Sequence, residues 1–393
     1  MEPGTIVAMR KSTFFKRLVF LVGPALALLA LAGSAEATTI TVNVSGAPQT
    51  GKCSLTDAVQ AATTNTAVHS CPAGSSSSTD TIQLAAGTTY QSYGKTLLFP
   101  TTGGAVVIQG TSARTTIIRA PDYGYPSPNP LSATEVCPFP SAIFAGGTLT
   151  VKNLILQAST GGTKGICQYA GSLTLDNTLV GDTAGVWYFE AGAITSYPNT
   201  SNIHRTLLIK NFSDIWGNTS PGNGAGLALF GDVDTTINNS QIEHNESDSS
   251  GGGIYWSGIW GKMGNLTLTN NTEVHYNGAN AGWGGGIYLG GDDALASVTI
   301  DNGNMQVNAA AYLGGAIYME SGVGDGKVMI SNGSYIGPNN TAFGDSQQAS
   351  LNSDSYVYNK VWCQGGATIY GLTGSEWTGH SPPLNDDGTC SFP

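Results

Sequence analysis

Charged side chains are scarce in this sequence. Only 10% of its 393 residues are Asp, Glu, Lys or Arg, whereas 40% are apolar. A chain this apolar is not intrinsically disordered, and so few charges are not typical of a helical bundle. Glycine, in contrast, is abundant at 54 residues, which indicates many tight turns.

Basic residues are the scarcest charged group. The chain has 15 Lys and Arg against 26 Asp and Glu, which gives a net charge of -11. Such a surface repels nucleic-acid phosphates and anionic lipid headgroups. We therefore expect no nucleic-acid partner and no binding to membrane surfaces, and a neutral or cationic partner if there is one.

The sequence also lacks an apolar run long enough to cross a bilayer. Its main apolar run, residues 18–32, is interrupted by a Gly-Pro pair and falls short of the ~20 residues that a span needs. A basic stretch precedes this run, and Ala-Glu-Ala follows at 35–37. This pattern predicts a signal peptide over residues 1–37, cleaved after Ala37, and therefore export, with no transmembrane segment in the mature chain.

Cysteine spacings typical of zinc sites are absent too. The six cysteines contain no C-x-x-C pair, and no histidine lies close enough to complete a metal site. In an exported chain, disulfides are the expected use of these residues. Proximity in the sequence favours three pairs: Cys53 with Cys71, Cys137 with Cys167, and Cys363 with Cys390.

Two short phrases recur at intervals of about 30 residues. The first is Gly-Gly-Gly-Ile-Tyr at 251–255 and 284–288, with Gly-Gly-Ala-Ile-Tyr at 314–318. The second alternates apolar and polar residues and closes on an asparagine, at Asn245, Asn277, Asn308 and Asn339. Alternation of this kind predicts short strands with one buried face, separated by Gly and Asn turns.

The fixed period favours a single-stranded parallel β-helix over a β-sandwich. In such a fold the closing asparagines stack in a ladder of amide hydrogen bonds. We expect an N-terminal cap and first coil over residues 38–94, the β-helix repeats over 95–345, and a disulfide-closed C-terminal cap over 346–393.

Both ends of the chain carry a resemblance to a known family. Residues 53–62, Cys-Ser-Leu-Thr-Asp-Ala-Val-Gln-Ala-Ala, resemble the Cys-Ser-Leu-Arg-Glu-Ala-Ile start of the bacterial CSLREA-domain proteins, with Thr56 and Asp57 where that family has Arg and Glu. The Gly-Gly-x-Ile-Tyr phrases resemble repeats of the polymorphic outer membrane proteins, and residues 384–392 resemble the closing phrase of such chains. The resemblance implies an exported right-handed β-helix of the pectin-lyase-like superfamily, located extracellularly or at the surface of a bacterium.

Residues 54–62 also have the pattern of a short amphipathic helix. Leu55, Ala58, Val59 and Ala62 fall on one face. Placed at the end of a β-helix, this helix covers the first coil and prevents strand addition there.

The superfamily includes enzymes, and the sequence offers few candidates for their chemistry. Its lyases use a basic residue near carboxylate-bound Ca²⁺, and its hydrolases use clustered aspartates. The chain has one such pair, Asp292 and Asp293, in a glycine-rich segment typical of a turn. We therefore expect no cofactor and no metal, and Ca²⁺ only if the protein is a lyase.

When the coils are aligned on their closing asparagines, four polar or aromatic residues occupy equivalent positions, one above the other, and form a column. Two positions earlier lie Trp216, Glu243, His275 and Gln306. Their preceding neighbours are apolar, so the column is expected to face solvent, with residues about 4.8 Å apart. A carboxylate beside an imidazole serves proton transfer, although a solvated ion pair on a stacked face also explains the pattern.

A second column consists of the tyrosines that end the first phrase. Tyr255, Tyr288 and Tyr318 follow inward isoleucines and are predicted to stack as an exposed ladder, with Tyr370 as a further member. Sugar rings pack on such faces, but stacking also stabilises a β-helix without any ligand.

The sequence thus predicts an exported β-helix that presents a long face for adhesion or for contact with a polysaccharide or another cell-surface component. A non-enzymatic role is favoured. The alternative is a polysaccharide lyase or glycoside hydrolase of the pectin-lyase-like superfamily.

Overall fold

A computed structural model describes most of the chain after residue 36. It covers residues 37–92, 96–111, 114–120, 141–157, 164–181, 192–198, 203–259, 261–291, 297–320, 327–337 and 340–342, and the backbone of 351–353, 361–363 and 368–369. Several predicted features lie outside these residues: the signal peptide, Asp292, Asp293, Cys137, Cys390 and Tyr370.

The described chain is an all-β, right-handed parallel β-helix with a short N-terminal helix, which confirms the predicted fold class. Its strands pair in parallel with the equivalent strands of the preceding and following coils, and they form three sheets of 19, nine and five strands. Along a typical strand, buried and partly exposed residues alternate, as at Val233–Asn238. Inward Ile, Leu and Val side chains stack on the next coil and fill a continuous core.

The 19-stranded sheet, sheet 1, has two rows of strands separated by a corner. Row 1 consists of Thr39–Thr41, Asp80–Gln83, Val106–Gln109, Leu149–Lys152, Ser172–Asp176, Arg205–Lys210, Val233–Asn238, Lys327–Ser331 and Val361–Cys363. Row 2 consists of Thr89–Gln91, Ile117–Arg119, Ile155–Gln157, Leu179–Gly181, Asp214–Trp216, Gln241–Glu243, Tyr335–Ile336 and Thr368–Ile369. The long strands Asn265–His275 and Ser297–Gln306 pass through both rows.

The other two sheets complete each coil. Sheet 2 consists of Leu97–Phe99, Ser141–Ala145, Lys164–Gln168, Ile194–Ser196, Leu227–Phe230, Ile254–Ser257, Ile287–Gly290, Ile317–Met319 and Leu351–Ser353. Sheet 3 consists of Thr219–Ser220, Glu246–Ser247, Gly278–Ala279, Ala309–Ala310 and Thr341–Ala342. Strands after residue 345 still pair with the coils, so part of the segment predicted as the C-terminal cap belongs to the β-helix.

Asparagine in the left-handed conformation turns the chain between rows 1 and 2. The φ angles at this corner lie between 47° and 57° at Asn153, Asn177, Asn211, Asn239, Asn270, Asn302 and Asn332. Asparagine adopts this conformation at lower cost than other residues with a Cβ, because its short polar side chain bonds locally. This preference explains why asparagine recurs at the turns of the sequence.

The predicted asparagine ladder lies between row 2 and sheet 3. The Nδ2 of Asn245 donates to the Oδ1 of Asn277 at 3.0 Å, and Asn277 donates to Asn308 in the same way at 3.0 Å. Asn218 begins the described ladder and Asn340 ends it. The prediction of Asn339 as its last member is wrong. Asn340 follows the inward Ile336 by four positions rather than three, so this coil contains an additional residue.

The N-terminal helix, Leu55–Thr64, confirms the predicted amphipathic segment and extends two residues beyond it. The Ser54 hydroxyl accepts a hydrogen bond from the backbone N–H of Asp57, and Asn65 ends the helix in the left-handed conformation. The buried face packs against the first strands of sheets 1 and 2. The helix therefore covers the edge of the first coil.

One predicted disulfide is present in full within the described residues, between Cys53 and Cys71. Cys167 is also disulfide-bonded, and its predicted partner Cys137 lies outside the described residues. The pairing of Cys363 with Cys390 stays a prediction. The described part of the chain contains no helix with the length and hydropathy needed to span a membrane.

Candidate functional site

The column predicted from the closing asparagines is present on row 2. Trp216 pairs with Glu243, Glu243 with His275, and His275 with Gln306 in consecutive coils. The residue before each of them is fully buried, at Ile215, Ile242, Val274 and Met305. The four side chains therefore project from the same outer face, which we call the row 2 face.

Glu243 and His275 form a short polar contact on this face. The Nε2 of His275 lies 2.7 Å from the Oε2 of Glu243, and the Nδ1 of His244 lies 3.3 Å from the same oxygen. The side chains of His275 and Glu243 are only 18% and 16% exposed, because neighbouring side chains of the face shield them. Trp216, in contrast, is 44% exposed. The column thus projects outward as expected, with Trp216 well exposed and the central pair only partly accessible to solvent.

A second polar column accompanies the first, and the sequence interpretation missed it. Asp214 pairs with Gln241, Gln241 with Glu273, and Glu273 with Asn304, each two positions before a residue of the first column. Gln241 Nε2 donates to Glu273 Oε2 at 3.0 Å, and this carboxylate lies 3.8 Å from His275 Nδ1. The signal was available, because residues two apart in a strand share a face.

Among the described residues of the row 2 face, Asp214 has the largest pKa shift. Burial of its side chain and, to a smaller extent, the negative charge of Glu243 together raise the pKa of its carboxyl to about 7. Arg114 opposes this shift. Asp214 is thus a carboxylic acid that holds its proton close to neutral pH, beside a carboxylate paired with an imidazole.

Exposed aromatic rings border the row 2 face on the side of sheet 3. His244 and Tyr276 occupy equivalent positions in consecutive coils, and their rings stack with centroids 4.9 Å apart and planes at 16°. The ring of Trp216 lies 6.3 Å from that of His244. Tyr276 is 49% exposed. The sequence interpretation missed His244 and Tyr276 because they occupy a turn, outside the alternating pattern of the strands.

The tyrosine ladder on sheet 2 is stacked but not exposed. The rings of Tyr255 and Tyr288 lie 4.9 Å apart, and those of Tyr288 and Tyr318 lie 5.6 Å apart, as the register predicts. Tyr288 and Tyr318 are nonetheless only 8% and 5% exposed, so the prediction of an exposed ladder is wrong. Each flat ring covers the faces of its neighbours, and Glu320 accepts a hydrogen bond from the Tyr288 hydroxyl at 2.9 Å.

This environment makes the ladder a structural element. Burial, together with the negative charge of Glu320, raises the pKa of the Tyr288 hydroxyl, so Tyr288 remains a neutral donor to Glu320. The buried faces of Tyr288 and Tyr318 leave no platform for a sugar ring.

The part of the chain that the structure describes contains no candidate metal site, because no group of three or more His, Cys, Asp or Glu residues there is arranged to hold an ion. The Asp292–Asp293 pair lies outside those residues. The expected absence of a cofactor stays a prediction.

No protein-family model matches the chain, and no curated protein matches it. Among solved structures, a rice weevil pectin methyl esterase is similar, with 14% sequence identity and a TM-score of 0.25. The similarity covers 74% of this chain and 81% of that chain. At this identity and TM-score it says nothing about the chemistry of the row 2 face.

Proposed function

We propose that this chain is an exported β-helix protein that binds carbohydrate on its row 2 face. The observation that carries the proposal is the position of two exposed rings, Trp216 and Tyr276, beside the Glu243–His275 pair. Carbohydrate sites combine aromatic surfaces, on which the C–H side of a sugar ring packs, with fixed polar groups that bond its hydroxyls. Gln241 and Glu273 add amide and carboxylate groups to this face.

Export and location at a bacterial surface belong to the same proposal. The N-terminal pattern of residues 1–37 and the resemblance to the CSLREA-domain proteins support both. N-terminal sequencing of the secreted protein is the test, and a mature chain that begins at Thr38 is the expected result.

Binding is tested with a panel of soluble neutral and acidic polysaccharides, measured by calorimetry or on an array. We expect Trp216→Ala and His275→Ala each to weaken binding, the second by ~1 to 3 kcal/mol through loss of a hydrogen bond. Tyr312→Ala and His204→Ala are matched controls, because both residues are exposed and lie away from row 2. If no polysaccharide binds, or if all four variants bind alike, the row 2 face is not a carbohydrate site.

Glycan hydrolysis is a second candidate, favoured by the contrast between Asp214 and Glu243. A carboxyl group with a raised pKa beside a second carboxyl group is an arrangement that supplies an acid and a base for cleavage of a glycosidic bond. Release of reducing ends from the same polysaccharides tests it, and Asp214→Asn is expected to abolish release. Unsaturated uronate absorbance, with and without Ca²⁺, tests the lyase alternative.

A further inference from the structure

The ring of Tyr276 has one covered face and one open face. His244, in the preceding coil, stacks on the first face, with ring centroids 4.9 Å apart and planes at 16°. This separation is close to the ~4.8 Å spacing of adjacent coils, so the planes of both rings lie across the long axis of the β-helix. The second face of Tyr276 therefore points along the axis, towards the following coil.

The following coil leaves this second face accessible. Its residue at the same corner is Val307, whose side chain carries no ring to continue the stack. Tyr276 is 49% exposed, whereas Tyr288, which has a ring on each face, is only 8% exposed. We call the step between the open face of Tyr276 and Val307 the corner notch.

Two amide side chains lie on the row 2 face at the level of the corner notch. Gln306 directly precedes Val307, and its Nε2 donates to the Oδ1 of Asn304 at 2.7 Å. Because each amide has two N–H donors and an acceptor oxygen, this single bond leaves donors and acceptors on both side chains. A ring in the notch therefore has an aromatic face on one side and amide groups at its edge.

The charge around the corner notch favours an uncharged ligand. The row 2 residues of this coil, 303–307, carry no charged side chain, so an ammonium group has no carboxylate among them to pair with. Glu273, one coil before Asn304, already accepts a hydrogen bond from Gln241. The whole chain carries a net charge of -11, so like-charge repulsion opposes an acidic sugar.

We propose that the corner notch binds one uncharged pyranose ring, stacked on the open face of Tyr276, with its edge hydroxyls bonded to Gln306. The sugar continues the stack that His244 and Tyr276 begin, so its plane lies across the long axis of the β-helix. The C–H groups of a pyranose face pack on a flat ring while its hydroxyls radiate from the edge, and the notch has a partner for each. The inference rests on the proposed carbohydrate-binding function and assigns the position at which a sugar stacks.

The ligand experiment compares two small sugars that differ in one group, methyl β-D-glucopyranoside and its uronate, methyl β-D-glucopyranosiduronate. NMR titration of the mature protein should show tighter binding of the uncharged sugar. In this sugar the protons at C1, C3 and C5 lie on one face of the ring, and those at C2 and C4 lie on the other. Saturation-transfer spectra should show one set more strongly than the other, because Tyr276 contacts a single face.

Val307→His tests the corner notch by filling it. Histidine is the residue at the equivalent corner two coils earlier, His244, and it adopts the left-handed conformation more readily than most residues. Its ring would cover the open face of Tyr276, so we expect the affinity for methyl β-D-glucopyranoside to fall about tenfold. Val307→Asn, with a short side chain in the same conformation, should cause a much smaller loss. Thr299→His adds the same ring on row 1, away from the row 2 face, and should bind like the parent.

Tyr276 itself is tested by two replacements. Tyr276→Asn removes the ring with a residue that suits the left-handed conformation, and it should lower the affinity about tenfold. Tyr276→Phe keeps the ring and should retain most of the affinity, because the stacking face rather than the hydroxyl holds the sugar. Circular dichroism verifies that each variant is folded.

The outcomes separate the inference from the proposed function. Equal saturation of both sugar faces, tighter binding of the uronate, or full affinity in folded Val307→His and Tyr276→Asn would overturn the corner notch while carbohydrate binding stands. Polysaccharide binding without any binding of the glucoside would overturn it in the same way. Failure of the glucoside and of the whole polysaccharide panel would overturn both.

Discussion

Glu243 and His275 belong to consecutive coils, yet the Oε2 of one lies 2.7 Å from the Nε2 of the other. Their contact depends on the register of row 2, in which each strand pairs in parallel with the next. The central pair of the candidate site is therefore held by stacking of the coils rather than by a loop. Interactions that maintain coil stacking consequently also maintain the site.

The asparagine ladder is the clearest of these interactions. Asn277 donates to the carbonyl of Ile242 and to Asn308, and it accepts from Asn245, all within the buried interior. Asn277→Ala leaves these partners unsatisfied, and we expect a loss of about 3 to 5 kcal/mol in the free energy of unfolding. Urea denaturation measures this loss. Asn280→Ala is the matched control. Asn280 is exposed and lies three residues after Asn277, and its replacement should cost less than ~0.5 kcal/mol.

Tyr288 is expected to contribute to stability rather than to ligand binding. Its ring is buried between those of Tyr255 and Tyr318, so Tyr288→Ala should cost about 3 to 5 kcal/mol of unfolding free energy. Tyr312→Ala removes a half-exposed ring and should cost much less. The same pair of variants, assayed at a temperature where both are folded, should bind glycans like the parent. Weaker glycan binding by Tyr288→Ala alone would contradict this prediction and indicate that the tyrosine ladder binds the ligand.

The fold was predictable from the sequence because its period repeats with few irregularities. Once the closing asparagines are aligned, parallel strands in register bring Trp216, Glu243, His275 and Gln306 together without further assumptions. The alignment failed where a coil contains one residue more, which placed Asn339 in the ladder instead of Asn340.

The environment of the side chains was less predictable than their register. Strand alternation shows that Tyr288 points outward, but it does not show that neighbouring rings and Glu320 cover the tyrosine. Likewise, the pKa of Asp214 depends on its burial and on Glu243 in the next coil, neither of which is visible in the local sequence. His244 and Tyr276 were not predicted as site residues, because residues in turns have no alternating pattern.

Val307 occupies a backbone conformation that suits its side chain poorly. Its φ angle is 54°, although left-handed geometry is costly for a β-branched residue. We expect Val307→Asn to raise the free energy of unfolding by about 0.5 to 1 kcal/mol, because asparagine adopts this conformation more readily. Thermal unfolding measures the gain. Thr299→Asn, which replaces another β-branched residue by asparagine but within a strand, is the control and should be neutral or destabilising. A lower melting temperature for Val307→Asn would contradict the strain.

Asp214 should make the stability of the protein fall as the pH rises. Its pKa is about 7 in the folded chain, against an ordinary value of 3.8 that we take for the unfolded chain, so the folded state binds the proton more tightly. The stabilisation is complete below about pH 4 and is lost as the pH rises through about 7. Asp214→Asn carries no titrating proton and should not undergo this loss. Relative to the parent, the variant should therefore gain about 1 to 3 kcal/mol between pH 4 and pH 8, measured by urea unfolding at both values.

Glu243→Gln provides the complementary measurement for Asp214. Removing the neighbouring negative charge should lower the Asp214 pKa and make the fall in stability between pH 4 and pH 8 shallower, while burial of Asp214 still retains part of it. A carboxyl-carbon NMR titration of Asp214 in the parent and in this variant reports the shift directly. If the Asp214→Asn difference is the same at both pH values, Asp214 is ionised in the folded protein, and the contrast that favours an acid–base pair on the row 2 face disappears.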